Sequence, residues 1–316
     1  MAQQPDFYKI ILEKNANLDD IPDKFLTGVK RSEKEIYAGL VELLNQLEIV
    51  DGRFAVTEQN IRLAAQINEQ LKQVMVGSEY TRALTEFAKG FDTQAELNIT
   101  YFAKAFDVTT TPTVIAAIVE QSKRNAVDLL INRAADSEFL YPIRDIVETA
   151  VVNNQTFAET LSGLREFIEG SDEVESRLMR YSRSIALDTF GIADRSVTQV
   201  YAKEYEFEWY LYSGGRMKTT RAFCRERYGK YFHIKEIELW GEGRKTPGFE
   251  TPQKGSWQGR NEETNKDNIL TYAGGYNCNH TIMPVSVFAV PLDDVKRAVE
   301  LGYYEPDDFE RRELGL

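Results

Sequence analysis

The feature that most constrains this chain is a series of apolar stripes at helical spacing that runs to about residue 190 and then stops. Ser32-x-x-Glu35 has the spacing of a capping box, in which the Ser side chain accepts from the Glu backbone N–H and the Glu reaches back. Ile36, Leu40, Leu43, Leu44 and Leu47 follow on one helical face, so the spacing predicts a helix that starts at Ser32. Gly52 predicts its break, and a second helix from about Thr57 carries Leu63, Ile67, Leu71 and Val74 on one side. Thr111-Pro112 reads as a third start, because proline at the first helical position gives up an N–H that would be unpaired anyway. Ile115, Ile118, Val119, Leu129 and Leu130 come after it. Thr156-x-x-Glu159 is another capping box, followed by Leu161, Leu164, Phe167 and Ile168, with Gly170 as the stop. Val174, Leu178, Tyr181 and Ile185 open one more helix. All these stripes read as core packing.

Beyond residue 200 the pattern changes. Tyr205 to Tyr212 alternates and is aromatic, which predicts a strand, and Ser213-Gly214-Gly215 punctuates it. The stretch to Asn279 is rich in glycine, tyrosine and tryptophan and reads as loops around one short helix, Ile234 to Trp240. Val285 to Val290 is expected to be a closing strand and Asp293 to Leu301 a terminal helix. The fold class is therefore α+β: a long helical region, 1–195, followed by a small mixed, loop-rich domain, 196–316.

The 316 residues hold 38 basic and 50 acidic side chains, a net charge of −12, and such a surface repels nucleic acid unless its cations are gathered in one place. Residues 196–316 hold 17 basic and 19 acidic side chains, which leaves −10 for the first 195. Met1 to Asp6 lacks the basic and apolar regions of a secretory leader. No apolar run approaches the ~20 residues that a bilayer requires, so no membrane partner is expected. Two cysteines exclude a disulfide framework and fit a reducing compartment.

Both cysteines and both histidines of the chain lie between Cys224 and His280. Cys278-x-His280 places a thiolate and an imidazole on one face of a strand. With Cys224 and His233 they make a candidate Cys₂His₂ zinc shell, although the spacing differs from the usual Cys-x₂-Cys and His-x₃-His pairs. Two other readings stay open here: buried thiols with hydrogen-bonded histidines, and a Cys/His nucleophile pair in an electropositive setting. Between Gly215 and Lys235 there are seven basic residues and one acid, Glu226. Arg216, Lys218, Arg221, Arg225, Arg227 and Lys230, interleaved with Phe223, Tyr228, Tyr231 and Phe232, have the composition of a patch facing nucleic acid. A solvated basic loop has the same composition. Glu204-x-Glu206-x-Glu208 reads as the wet face of a strand, and no Walker loop, GxGxxG, HExxH or GxSxG is present.

The segment Thr220-Arg-Ala-Phe-Cys-Arg-Glu-Arg-Tyr-Gly-Lys-Tyr-Phe232, then Gly274-Gly-Tyr-Asn-Cys-Asn-His280 and Met283-Pro-Val285, resembles the C-terminal signature of the phage Mu F-like minor head proteins, the phage head morphogenesis family. The similarity covers roughly residues 176 to 288. It implies a minor capsid protein of the virion, present in host cytoplasm during assembly and then inside the head near the portal, assisting capsid assembly and genome packaging or delivery. Its implied partners are the portal protein, the major capsid or scaffold protein, and packaged double-stranded DNA. No enzymatic activity is implied, and the cofactor expected is a structural Zn²⁺. Where many members of that family carry Cys-x-x-Cys, only Cys224 stands here, and where many end in Cys-Arg-Cys this chain has Cys278-Asn279-His280, so His233 is needed as fourth ligand. The rival readings are a metal-dependent nuclease or hydrolase acting on packaged DNA, and a toxin-like effector. The first rival would use His233 or His280, and an open zinc position with a bound water would favour it, whereas four protein ligands would indicate a structural site.

Overall fold

The computed structural model of the chain describes residues 6–171, 173–215 and 217–316. Helix accounts for 66% and strand for 7%, the α+β fold that the change of pattern predicts. The long helices are α1 (Asp6–Leu44), α2 (Glu58–Gly77), α3 (Glu79–Phe106), α4 (Val114–Asp128), α5 (Tyr141–Val152), α6 (Phe157–Glu169) and α7 (Arg177–Glu204). A two-residue hairpin, β1 (Ile49–Val50) and β2 (Arg53–Phe54), joins α1 to α2. Asp51 and Gly52 form its turn, both at positive φ, which the Asp-Gly pair tolerates.

The chain divides into two compact units that differ from the two halves expected from sequence. One comprises Met1–Asp20, Phe91–Ser122 and Leu187–Leu316, the other Ile21–Gly90 and Lys123–Ala186. The divisions fall inside α1, α3, α4 and α7, and residue 195 is well within α7. The expected boundary followed the change in sequence texture, whereas the compact unit around the C-terminal region also recruits helix from three earlier segments.

In the helical unit, Phe25 of α1 stacks on Phe87 at 5.1 Å and meets Tyr80 edge-on at 5.8 Å, both in α3. The Tyr80 hydroxyl donates to Leu130 O at 2.8 Å. Thr156 caps α6 as expected, accepting from Glu159 N, and Gly170 closes it at φ 73°. Ser32 does not start a helix. It is buried mid-α1 with its hydroxyl donating to Val29 O at 2.7 Å, while Glu35 accepts from Glu79 N at 2.9 Å. The reason is visible upstream, where Leu18, Phe25, Leu26 and Val29 are all buried and carry the helical stripe straight through Ser32.

The mixed unit is built on a three-stranded antiparallel sheet in the order β4-β3-β5, with β3 Trp209–Gly214, β4 Tyr231–His233 and β5 His280–Pro284. Tyr210 pairs with both Phe232 and Pro284. The strand expected at 205–212 begins later because α7 continues to Glu204 and the chain turns at Glu206, φ 51°. The closing strand lies at His280–Pro284, not Val285–Val290, where Val287–Ala289 is a single 3₁₀ turn capped by Ser286. A short apolar run does not by itself distinguish strand from turn. Short helices α8 (Ala222–Arg227), α9 (Ile234–Gly241), α10 (Ile269–Tyr272), α11 (Leu292–Glu300) and α12 (Asp308–Leu314) complete the unit; α9 and α11 match the sequence reading in position, but α11 is not terminal, because Asp307 caps α12 after it.

Early and late segments of this unit are tied by a buried polar knot. Lys14 Nζ lies 3.2 Å from Asp194 Oδ1 and donates to Asn98 Oδ1 and to Met283 Sδ. Gln94 and Asn98 also donate to Asp194 Oδ1, at 2.9 and 2.8 Å. Burial pulls the Lys14 ammonium below its ordinary pKa, and Asp194 opposes that shift.

Candidate metal centre

Two segments about fifty residues apart in sequence build the centre. α8 turns Phe223, Cys224 and Arg227 inward. Phe223 stacks on Trp257 at 4.1 Å and anchors the helix in the aromatic core beneath β3. The second segment passes Ala273 and Asn277, both at positive φ, and delivers Cys278 just before His280 enters β5. The guanidinium of Arg195 on α7 fixes this turn, donating to Cys278 O at 2.6 Å, His280 O at 3.2 Å and Thr271 O at 2.5 Å.

Cys224 Sγ lies 3.8 Å from Cys278 Sγ, and Cys278 Sγ lies 3.8 Å from His280 Nδ1. The three donor atoms are all within 4.8 Å of one another, and all three residues are buried. Two thiolates ~2.3 Å from a tetrahedral ion stand ~3.8 Å apart, and a thiolate and an imidazole stand ~3.6 Å apart. The two measured separations are therefore close to those of a zinc site, while the sulfurs are well beyond the ~2.05 Å of a disulfide. The Tyr212 hydroxyl donates to Cys224 Sγ at 3.3 Å, the kind of outer contact that supports a thiolate.

The two thiols hold their protons unequally. Cys278 is drawn well below the ordinary thiol range by the hydrogen bond from Cys224, then by His280 and the nearby Arg195 charge, against the effect of burial. Sharing with Cys278 and burial push Cys224 up. Thiolate is the form that binds metal. His280 Nε2 is buried without a hydrogen-bond partner.

His233 is not part of this cluster. As the last residue of β4 it pairs with Trp209, packs edge-on against that indole at 5.4 Å, and lies 5.5 Å from the Tyr304 ring. Its Nδ1 accepts from Lys235 N at 3.3 Å and so caps α9. The expected Cys₂His₂ shell is thereby corrected to Cys₂His. Among the described residues, no other Cys, His, Asp or Glu joins the group.

The basic segment does not form one face. Arg227 is fully buried, with its guanidinium 3.9 Å above Phe223, 4.3 Å from Trp240 and 4.8 Å from Phe249. It donates to Phe223 O and to Thr251 Oγ1 and O, and burial lowers its pKa to about 10. Arg221 is half-buried and donates to Gly274 O and Tyr276 O, tying α8 to the Cys278 turn. Lys218, Arg225 and Lys230 are exposed; Arg216 lies outside the described residues. Arg227 and Arg221 are therefore removed from the expected phosphate-binding set, because an arginine next to aromatic residues in sequence can stack inside a core as readily as face solvent.

Sequence reasoning missed Tyr212, Arg195 and the Gly274 contact. Tyr212 lay in the strand pattern and Arg195 in a helical stretch, and neither type carries a spacing signal. A Cβ on Gly274 would lie 2.3 Å from Cys224 Sγ and 2.8 Å from Cys278 Sγ, so only glycine lets the sulfurs meet there.

No family model, curated protein or solved structure matches this chain. No helix among the described residues is long and apolar enough to cross a membrane.

Proposed function

We propose that the chain is a phage minor head protein of the Mu F-like kind, working inside the capsid near the portal in head assembly and genome packaging or delivery. The observation that carries this reading is the convergence of the two signature segments. Thr220–Phe232 and Gly274–Val285, joined by a long loop-rich spacer, meet at Cys224, Cys278 and His280, so the residues that make the resemblance are also those that organise the unit. Zinc is the ion that the donor set suits. Arg195 and Arg221 hold the turn carrying two of its three ligands. Contact with packaged DNA, in this reading, rests on Lys218, Arg225 and Lys230 with Arg216 of the expected set, and supplies a weak, salt-sensitive attraction.

The test is to locate the protein. Purified particles of the phage or prophage that encodes it are expected to contain the chain at low copy by mass spectrometry. A reconstruction without imposed symmetry is expected to place it at one vertex. Its absence from intact particles would overturn the assignment.

The rival reading, a metal-dependent hydrolase acting on DNA, gains from one observation: among the described residues three side chains, not four, come together as candidate ligands, and they line a cleft.

A further inference from the structure

The placement of the three donors decides how many ligands the chain offers an ion. On the inner side the sulfurs are closed in by Gly274, where even a methyl group would collide with both, and by the Tyr212 ring, whose hydroxyl reaches Cys224. On the outer side Cys224, Cys278 and His280 form part of the wall of an open cleft of about 280 Å³. Thr219, Thr220, Asn277 and Asn279 also line that wall, together with the largely exposed Met217. Hydroxyls and amides are poor ligands for an ion already held by two thiolates.

The carboxylate on the cleft wall, Asp19, accepts from Asn279 Nδ2 at 2.8 Å and falls outside the group of atoms close enough to share an ion. Asp188 is likewise outside that group and accepts from Asn277 N. His233, which would have closed the shell, is committed to capping α9. Two thiolates neutralise a divalent ion, and Arg221 lines the cleft opposite in charge to Asp19, so a small anion entering there does not meet an accumulated negative charge.

We propose that this chain binds its ion through Cys224 Sγ, Cys278 Sγ and His280 Nδ1 alone and leaves the fourth position on the cleft, to be taken by solvent or by a small anionic donor from outside. The inference rests on the metal reading above. A shell of this kind leaves a position from which a ligand can be polarised, which a four-ligand structural site lacks. The room beside the ion admits a small molecule or one side chain of a partner.

Cobalt(II) loading of the full chain tests it, with azide as the probe. One cobalt per chain is expected, with visible absorption of a tetrahedral thiolate site. Titration with azide is expected to shift those bands saturably. His233→Asn is expected to bind cobalt and respond to azide as the parent does. X-ray absorption of the zinc-loaded parent, which needs no variant to fold, is expected to show two sulfur and two lighter neighbours, one of the latter exchanging with azide. A cobalt protein whose bands azide leaves unmoved has a fourth protein ligand, which overturns this inference and leaves the metal reading standing. Loss of the azide response in a folded His233→Asn protein overturns it too. A chain that takes up neither cobalt nor zinc overturns both.

Discussion

At the scale of single residues, the two histidines show how the same side chain takes opposite roles through its surroundings. His280 presents Nδ1 to a sulfur. His233 sits between Trp209 and Tyr304, where burial, reinforced by the Lys235 charge, lowers its pKa to about 4 from the usual 6.5. Between those two values the unfolded chain binds a proton that the folded chain refuses, so stability rises with pH across that window and is lost as pH falls through it. The slope is ~1.4 kcal/mol per pH unit at most, or about 2–3 kcal/mol in all. Urea midpoints measured from pH 7 to pH 4 should therefore fall more steeply for the parent than for His233→Asn, which keeps an acceptor for Lys235 N. Asp188, Asp294 and Glu33 are raised by burial and act with the opposite sign in both proteins, so the difference between the curves isolates His233. Parallel curves would mean that this imidazole is not held neutral by its pocket.

At the scale of elements, local chemistry was legible wherever it decided the outcome, and illegible where packing did. Thr156 and Gly170 bracket α6 as their sequence positions imply. Thr156→Ala should cost about 1 kcal/mol of stability, the usual loss when a cap is removed, measurable as a lower urea midpoint with an unchanged slope; no change would mean the orphan N–H groups find water instead. Ser32 has the same signature, but the apolar stripe of α1 runs through it and overrides the cap. For the site, the clustering of all Cys and His in one stretch was a valid signal, and three of the four do meet. The fourth failed because a histidine ending a strand between aromatic residues is as suited to capping and packing as to ligation. Arg227 failed as a phosphate contact for a related reason: charge density along a sequence does not say which side of a one-and-a-half-turn helix faces the core, and α8 turns Cys224 and Arg227 inward together.

At the scale of the whole molecule, the unit that carries the candidate centre is assembled from distant parts of the chain. Lys14 of α1, Gln94 and Asn98 of α3, Asp194 and Thr198 of α7 and Met283 of β5 meet in one buried knot. Asn15 donates to Ser213 at 2.6 Å, at the far end of β3, and Arg195 holds the Cys278 turn from α7. A domain cut at residue 196 would keep every Cys and His yet lose Lys14, Asp194 and Arg195, taking the Lys14 contact from Met283 and the guanidinium from the Cys278 turn. The isolated 196–316 fragment is therefore expected to unfold without cooperativity and to bind metal substoichiometrically, as read by calorimetry and elemental analysis. In the full chain, Lys14→Met should destabilise by about 3–5 kcal/mol, because it leaves the Asp194 carboxylate buried without its cation. The double change Lys14→Met with Asp194→Leu should recover part of that loss, since removing both charges also removes their desolvation cost. A fragment that unfolds cooperatively with one ion bound would show instead that the C-terminal segment carries its own core, and that the knot merely attaches helices to it.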